Sequence, residues 1–310
     1  MQNHQRFEDL IPLALRSVPY IFQSHVCKAY VALENLHAQR SEWPDSVWDY
    51  CIKIIREDEP KVDGLIAEEL LALDDFVDST SGRDFGPDWI LGRGLMPLGY
   101  WAMRKKHEEI GFEALFQTYL NHGLANPVHL GHEISVFAGL WRFCEDVLSR
   151  HDSRLEVDLF LQRFTEYVMV TFAGRNETVV ELTETDEVPS EAALLEEALR
   201  NPGFFGHNVL ACVWAQRLKP KMTGEQYQVA LRNLARLVRP AADIQVAPCE
   251  DDWSEAELDE RFVSFFLDGP TNIHQITLAD ALLWVWKSHP EYRRLCAGNV
   301  LCFTQGARPG

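Results

Sequence analysis

The chain carries little positive charge for its size. Against 47 aspartates and glutamates stand 29 lysines and arginines, a net charge of −18. A surface so negative repels the phosphates of nucleic acid and the anionic face of a membrane, so neither is an expected partner. Long apolar runs are also missing, since no window approaches 18 uninterrupted apolar residues. The opening MQNHQRFEDLIPLALRS lacks the basic start, apolar stretch and small-residue cleavage site of a secretory signal. The expectation is a soluble, cytoplasmic protein. The seven cysteines (Cys27, Cys51, Cys144, Cys212, Cys249, Cys296 and Cys302) are odd in number and form no C-x-x-C pair. That spacing predicts reduced thiols packed as small hydrophobes, not disulfides or a zinc site.

Familiar catalytic signatures are absent too. Gly92-Arg93-Gly94 lacks the third glycine of a dinucleotide fingerprint and follows no strand, and neither G-x-x-x-x-G-K-S/T nor G-x-S-x-G occurs. After His132-Glu133 comes Ile134-Ser135-Val136, so there is no H-E-x-x-H. A helical di-iron site takes E-x-x-H twice, and the chain offers it once, at Glu34 and His37. Ser-His-Asp and Cys-His arrangements are not decided by sequence order, but no strained nucleophile turn announces one.

What is present is helical periodicity. Val26, Ala29, Tyr30, Leu33 and Leu36 recur at threes and fours, as do Ile134, Phe137, Leu140, Trp141, Cys144 and Val147. Similar stripes run from Leu159 to Val170, Val209 to Leu218, Val229 to Val238 and Leu278 to Trp286. Period-two alternation is confined to Thr178–Thr183 (TVVELT), a short strand or an extended loop. Breakers at Trp43-Pro44-Asp45, Gly86-Pro87-Asp88, Asn126-Pro127, Asn201-Pro202-Gly203, Arg239-Pro240 and Asp268-Gly269-Pro270 divide the helices. Ser254 with Glu257 has the pattern of a capping box. With 310 residues, 46% of them apolar, the chain can bury a large core. The predicted fold is mainly α: a compact multi-helix domain over 1–310 with long irregular connections and at most a minor strand. Two fused helical halves meeting near 175–200 are the other arrangement considered. The acidic stretches at 177–197 and 250–260 read as solvated surface or the edge of a lid.

Four of the eleven histidines share a position, just after a turn signal and at the start of an apolar helical stripe: His25, His129, His207 and His274. The positive end of a helix dipole disfavours imidazolium and favours the neutral ring that binds a metal. Because each stripe faces the core, the four rings are expected to point inward, where they can converge on one ion. Taken singly, each is as well explained as a hydrogen-bonded core or capping residue. His132 and Glu133 crowd the second segment and are the expected catalytic or ligand-supporting groups. His4, His37, His107, His122, His151 and His289 lie on charged or turn-like segments and read as surface. Trp141, Trp214, Trp284, Trp286, Phe204, Phe205, Phe265 and Phe266 lie near these segments; most are expected in the core, with a subset lining a slot for an aromatic ligand.

Taken in order, the segments Ser24-His25 with Ala32-Leu33, Gly123-Leu124-Ala125-Asn126-Pro127-Val128-His129-Leu130-Gly131, His207-Asn208-Val209-Leu210 and Asn272-Ile273-His274-Gln275-Ile276-Thr277 resemble the questin oxidase family. The likeness runs over about residues 20 to 290 and is loose between the motifs. It implies an α-helical oxygenase that oxidatively cleaves aromatic polyketide-like molecules or opens their rings in a Baeyer–Villiger manner. It also implies Fe(II) held by His25, His129, His207 and His274, O2 as co-substrate, and NADPH as a candidate external reductant. Two positions depart from the family. Thr277 stands where some members have a carboxylated lysine, and His132 stands where the family often has tyrosine, as a substitute ligand or a different substrate contact. Two other readings fit the residues, a non-catalytic acidic interaction protein with structural histidines and a zinc-dependent hydrolase. Oligomeric state is not indicated.

Overall fold

The apolar stripes fold as helices. The computed structural model describes residues 7–18, 25–61, 86–125, 129–150, 153–172, 187–239, 244–269 and 271–305. Among the described residues the chain is all α, without a sheet and with only an isolated bridge between Ser17 and Lys61. The first six helices among the described residues are α1 (Ile11–Arg16), α2 (His25–Arg40), α3 (Asp45–Glu57), α4 (Pro87–Gly92), α5 (Leu98–Ala125) and α6 (His132–Asp146). The next seven are α7 (Arg154–Thr171), α8 (Glu191–Arg200), α9 (His207–Leu218), α10 (Gly224–Val238), α11 (Glu255–Leu267), α12 (His274–Ser288) and α13 (Arg293–Thr304).

Local chemistry explains most boundaries. Pro44 and Pro87 stand at the starts of α3 and α4, where a missing N–H costs nothing. Capping boxes open α10 (Thr223 with Gln226) and α11 (Ser254 with Glu257). Asn201-Pro202-Gly203 ends α8. Segment 178–183, the candidate strand, lies outside the described residues, as does much of the stretch near 175–200.

Four helices form the frame. α2 packs on α6 and α12, and α9 packs on the same two, so the four close a ring. Trp141, Trp214, Trp286, Phe265 and Phe266 are buried in the surrounding core. An ion pair crosses the ring: Arg217 on α9 donates through Nη1 and Nη2 to Asp280 on α12 at 2.5 and 3.0 Å. Asp280 is fully buried, and the guanidinium also lies over the Trp214 ring at 4.8 Å. A bidentate pair of this kind fixes the register of two helices more than it adds net stability. Among the described residues no helix is long and apolar enough to cross a membrane.

The histidines read as surface are less exposed than expected. His37 packs edge-on against Phe7 and Trp48, both at 5.0 Å, His107 lies 4.1 Å from the Phe112 ring, and His122 and His289 meet Phe172 and Trp284. All four are half-buried, because an imidazole offers an apolar body to rings brought from other segments. His4 and His151 lie outside the described residues.

The two polar features differ in what their loss leaves behind. Asp280→Ala strands a mostly buried guanidinium and is expected to cost about 3 kcal/mol. Ser254→Ala removes a solvent-facing cap and is expected to cost about 1 kcal/mol. Urea unfolding midpoints measure the difference, and equal losses would contradict the assigned role of Asp280.

Candidate metal centre

Each helix of the ring begins with a histidine: His25 on α2, His132 on α6, His207 on α9 and His274 on α12. The chain reaches two of them by the same device. Leu130 and Gly131 before His132 have φ of 61° and 76°, and Phe205 and Gly206 before His207 have φ of 46° and 77°. Two successive left-handed residues turn the backbone sharply into the helix. Glycine is required at the second position on steric grounds as well. A Cβ on Gly131 would lie 2.8 Å from Ala211 Cβ, and one on Gly206 would lie 2.6 Å from the Leu278 side chain. Each turn is thus pressed against the next helix of the ring. Left-handed Leu130 and Phe205 cost about 1–2 kcal/mol each, which marks the turns as held by their surroundings.

The rings meet at the centre. His25 Nε2 lies 3.1 Å from His132 Nε2, which lies 2.9 Å from His207 Nε2. One ligand atom from each of His25, His132 and His274 falls within 4.8 Å of the others. The far side of three rings meets an oxygen: Glu59 Oε1 at 3.4 Å from His25 Nδ1, the Phe204 carbonyl at His207 Nδ1, and Asn272 Oδ1 at 2.6 Å from His274 Nδ1. An acceptor at Nδ1 holds the proton there and leaves Nε2 as a bare lone pair. His132 has at most one Nε2 proton and cannot donate to both His25 and His207. His274 Nε2 is buried with no hydrogen-bond partner.

Protonation does not resolve the crowding. Burial pushes His25 and His207 down to about 3 and His274 well below its ordinary value, with the Lys28 charge adding to the shift in all three. The rings are therefore neutral near pH 7. Inward lone pairs with too few protons between them repel unless a cation stands among them. Metal–imidazole bonds of about 2.1 Å place neighbouring nitrogens about 3.0 Å apart at right angles and about 3.4 Å apart in a tetrahedron. The observed 2.9 and 3.1 Å bring these nitrogens within reach of one ion, while the His25, His132 and His274 set as a whole spreads over 4.8 Å.

Of the four histidines expected as ligands, His25, His207 and His274 stand in this cluster. His129 opens the short turn His129–Gly131 before α6, and its side chain lies outside the described residues. His132, expected beside the ligands, bridges two of them. Glu133 is fully buried one residue further on, where its carbonyl accepts from the Tyr167 hydroxyl at 2.8 Å. Thr277 is buried, and its hydroxyl donates to the His274 carbonyl at 3.1 Å. Sequence reasoning missed Glu59 and Asn272. Asn272-x-His274 had a visible signal, an amide two residues before a helix-opening histidine, whereas Glu59 reaches His25 only through the fold. Of the aromatic candidates, Phe205 stacks on His274 at 5.6 Å and Phe204 on His207 at 5.9 Å. Phe204 is 45% exposed, so an aromatic face is open to solvent beside the rings.

Suppressed protonation has a sign. The unfolded chain takes up protons on these imidazoles below about pH 6.5 while the native rings stay neutral to about 3. Metal-free protein should therefore lose stability on acidification through that window, at most about 1.4 kcal/mol per pH unit for each ring. Denaturant melts at several pH values measure the slope, and His25→Gln is expected to flatten it by about one proton. Compared with protein-family models, with curated proteins and with solved structures, the chain has no match in any of the three.

Proposed function

We propose that the protein is a histidine-ligated non-haem iron oxygenase acting on a flat aromatic, polyketide-like small molecule in the cytoplasm. The observation that supports this reading most is the meeting of His25, His132, His207 and His274 through nitrogens that lack protons to share. Neutral imidazoles suit iron, zinc, copper and nickel alike. The likeness of the histidine segments to the questin oxidases supports iron and oxygen chemistry.

Iron bound there would supply the activation of O2. The chain's own residues do the remainder. The Phe204 carbonyl and Asn272 orient two imidazoles and hold their protons on Nδ1, and Glu59 lies beside the third. Burial keeps the rings neutral. Phe204 and Phe205 offer stacking faces at the edge of the cluster, suited to an aromatic ligand and to exclusion of water. His132 sits between His25 and His207, and Glu133 follows it, buried, in the first turn of α6.

Purified protein loaded anaerobically with Fe(II) should hold about one iron per chain and consume O2 when given an anthraquinone-type substrate, with NADPH as the reductant to try first. His132→Ala should abolish both iron retention and oxygen uptake. A chain that retains no metal, with its stability unchanged in His132→Ala, would leave the histidines structural and favour an acidic interaction protein. Zinc retention with hydrolytic activity and no oxygen uptake would replace the oxygenase by a hydrolase.

A further inference from the structure

A buried lysine stands beneath the histidine cluster. Lys28 lies one turn into α2, three residues after His25 and so on nearly the same face. Helical side chains lean toward the helix N-terminus, which carries the Lys28 stem up toward the rings. The residue is fully buried, and among the described residues its Nζ has no hydrogen-bond partner. Its charge is felt by His25, His207 and His274 together. The stem occupies space that α6 leaves for it: a Cβ on Gly139 would lie 2.6 Å from both Cβ and Cγ of Lys28. Burial pushes the ammonium down to about 7, with the Glu59 charge opposing the shift, so a substantial fraction stays protonated near neutrality.

A buried amine without a hydrogen-bond partner is costly, and the site makes a second demand of the same sign, which Glu59 and Asp58 answer only from behind His25. The convergent donors are neutral imidazoles, and each comes from a helix start that carries positive partial charge. A divalent ion held there keeps its full charge in surroundings already polarised positive. One negative ligand would answer both the ion and the amine.

We propose that the metal and Lys28 together bind an anionic oxygen ligand, the phenolate of an acidic phenol substrate, with Lys28 donating to the bound oxygen. This rests on the metal reading above and narrows its aromatic substrate to a phenol that enters ionised. Lys28 is then a binding residue, and no net change in its protonation is required.

Cobalt(II)-loaded protein, which gives a visible spectrum, allows binding to be measured apart from turnover. The probes are azide, 4-nitrophenolate and neutral imidazole. Lys28→Met keeps the stem and removes the charge. It should hold the same cobalt content while binding azide and 4-nitrophenolate about tenfold or more weakly and imidazole as tightly as the parent protein. Equal azide and phenolate affinities in the two cobalt proteins would overturn the proposal, as would a loss shared equally by imidazole. Lysine-dependent azide binding without lysine-dependent phenolate binding would overturn the substrate assignment. Failure of the parent protein to take up cobalt would instead remove the metal reading on which the proposal stands. Where Lys28→Met lowers cobalt content, Lys28→Gln, which restores a neutral donor, separates charge from packing by the same titrations.

Discussion

The structure depends on a shortage of protons. His25, His132 and His207 bring Nε2 atoms to 3.1 and 2.9 Å in series, and the outer nitrogens of His25 and His207 already face acceptors. Such a trio leaves inward lone pairs that positive charge in its midst would relieve. Much of the fold can be read as the means of holding that trio: four helices closed into a ring, all starting at the same point, with Arg217 and Asp280 locking two of them in register. The doubled left-handed turns at 130–131 and 205–206 belong to the same design, since each delivers a histidine at the first residue of a helix.

The electrostatics of this design work against one another in a useful way. Helix dipoles and burial strip protons from the rings and leave them free to coordinate, yet both also oppose the arrival of a cation. Under the proposed reading, coordination bonds to several imidazoles would have to exceed that opposition, which would disfavour ions that bind nitrogen weakly, such as Ca2+ and Mg2+. Glu59 softens the conflict from behind. Burial raises its carboxyl to about 7, and in its charged form it steadies His25 without entering the cluster.

How much of this the sequence discloses can be judged residue by residue. The all-helical architecture is legible because apolar stripes such as Val26–Leu36 and Leu278–Trp286 carry a period of 3.6, and those stripes became α2 and α12. Breaker and capping signals located Asp45, Pro87 and Glu255 as helix starts. His25, His207 and His274 are legible for the same reason, as polar residues opening apolar helices. His132, read from the sequence as a supporting group or substitute ligand, is delivered to the cluster by a turn of two left-handed residues, one of them leucine, which no propensity announces. Glu59, Lys28 against Gly139, and the aromatic neighbours of His37 and His107 are matters of tertiary contact, to which periodicity is blind.

The ring of helices joins stations that are remote along the chain: His25 meets His132 across 107 residues, and His132 meets His207 across 75. No fragment that stops before residue 274 contains the complete donor set. A polypeptide emerging from the ribosome therefore has no finished cage to fill until α12 has been made and has docked against α2. An ion held as we propose would enter a completed molecule, and its capture would report that the earliest and latest of these helices have found each other.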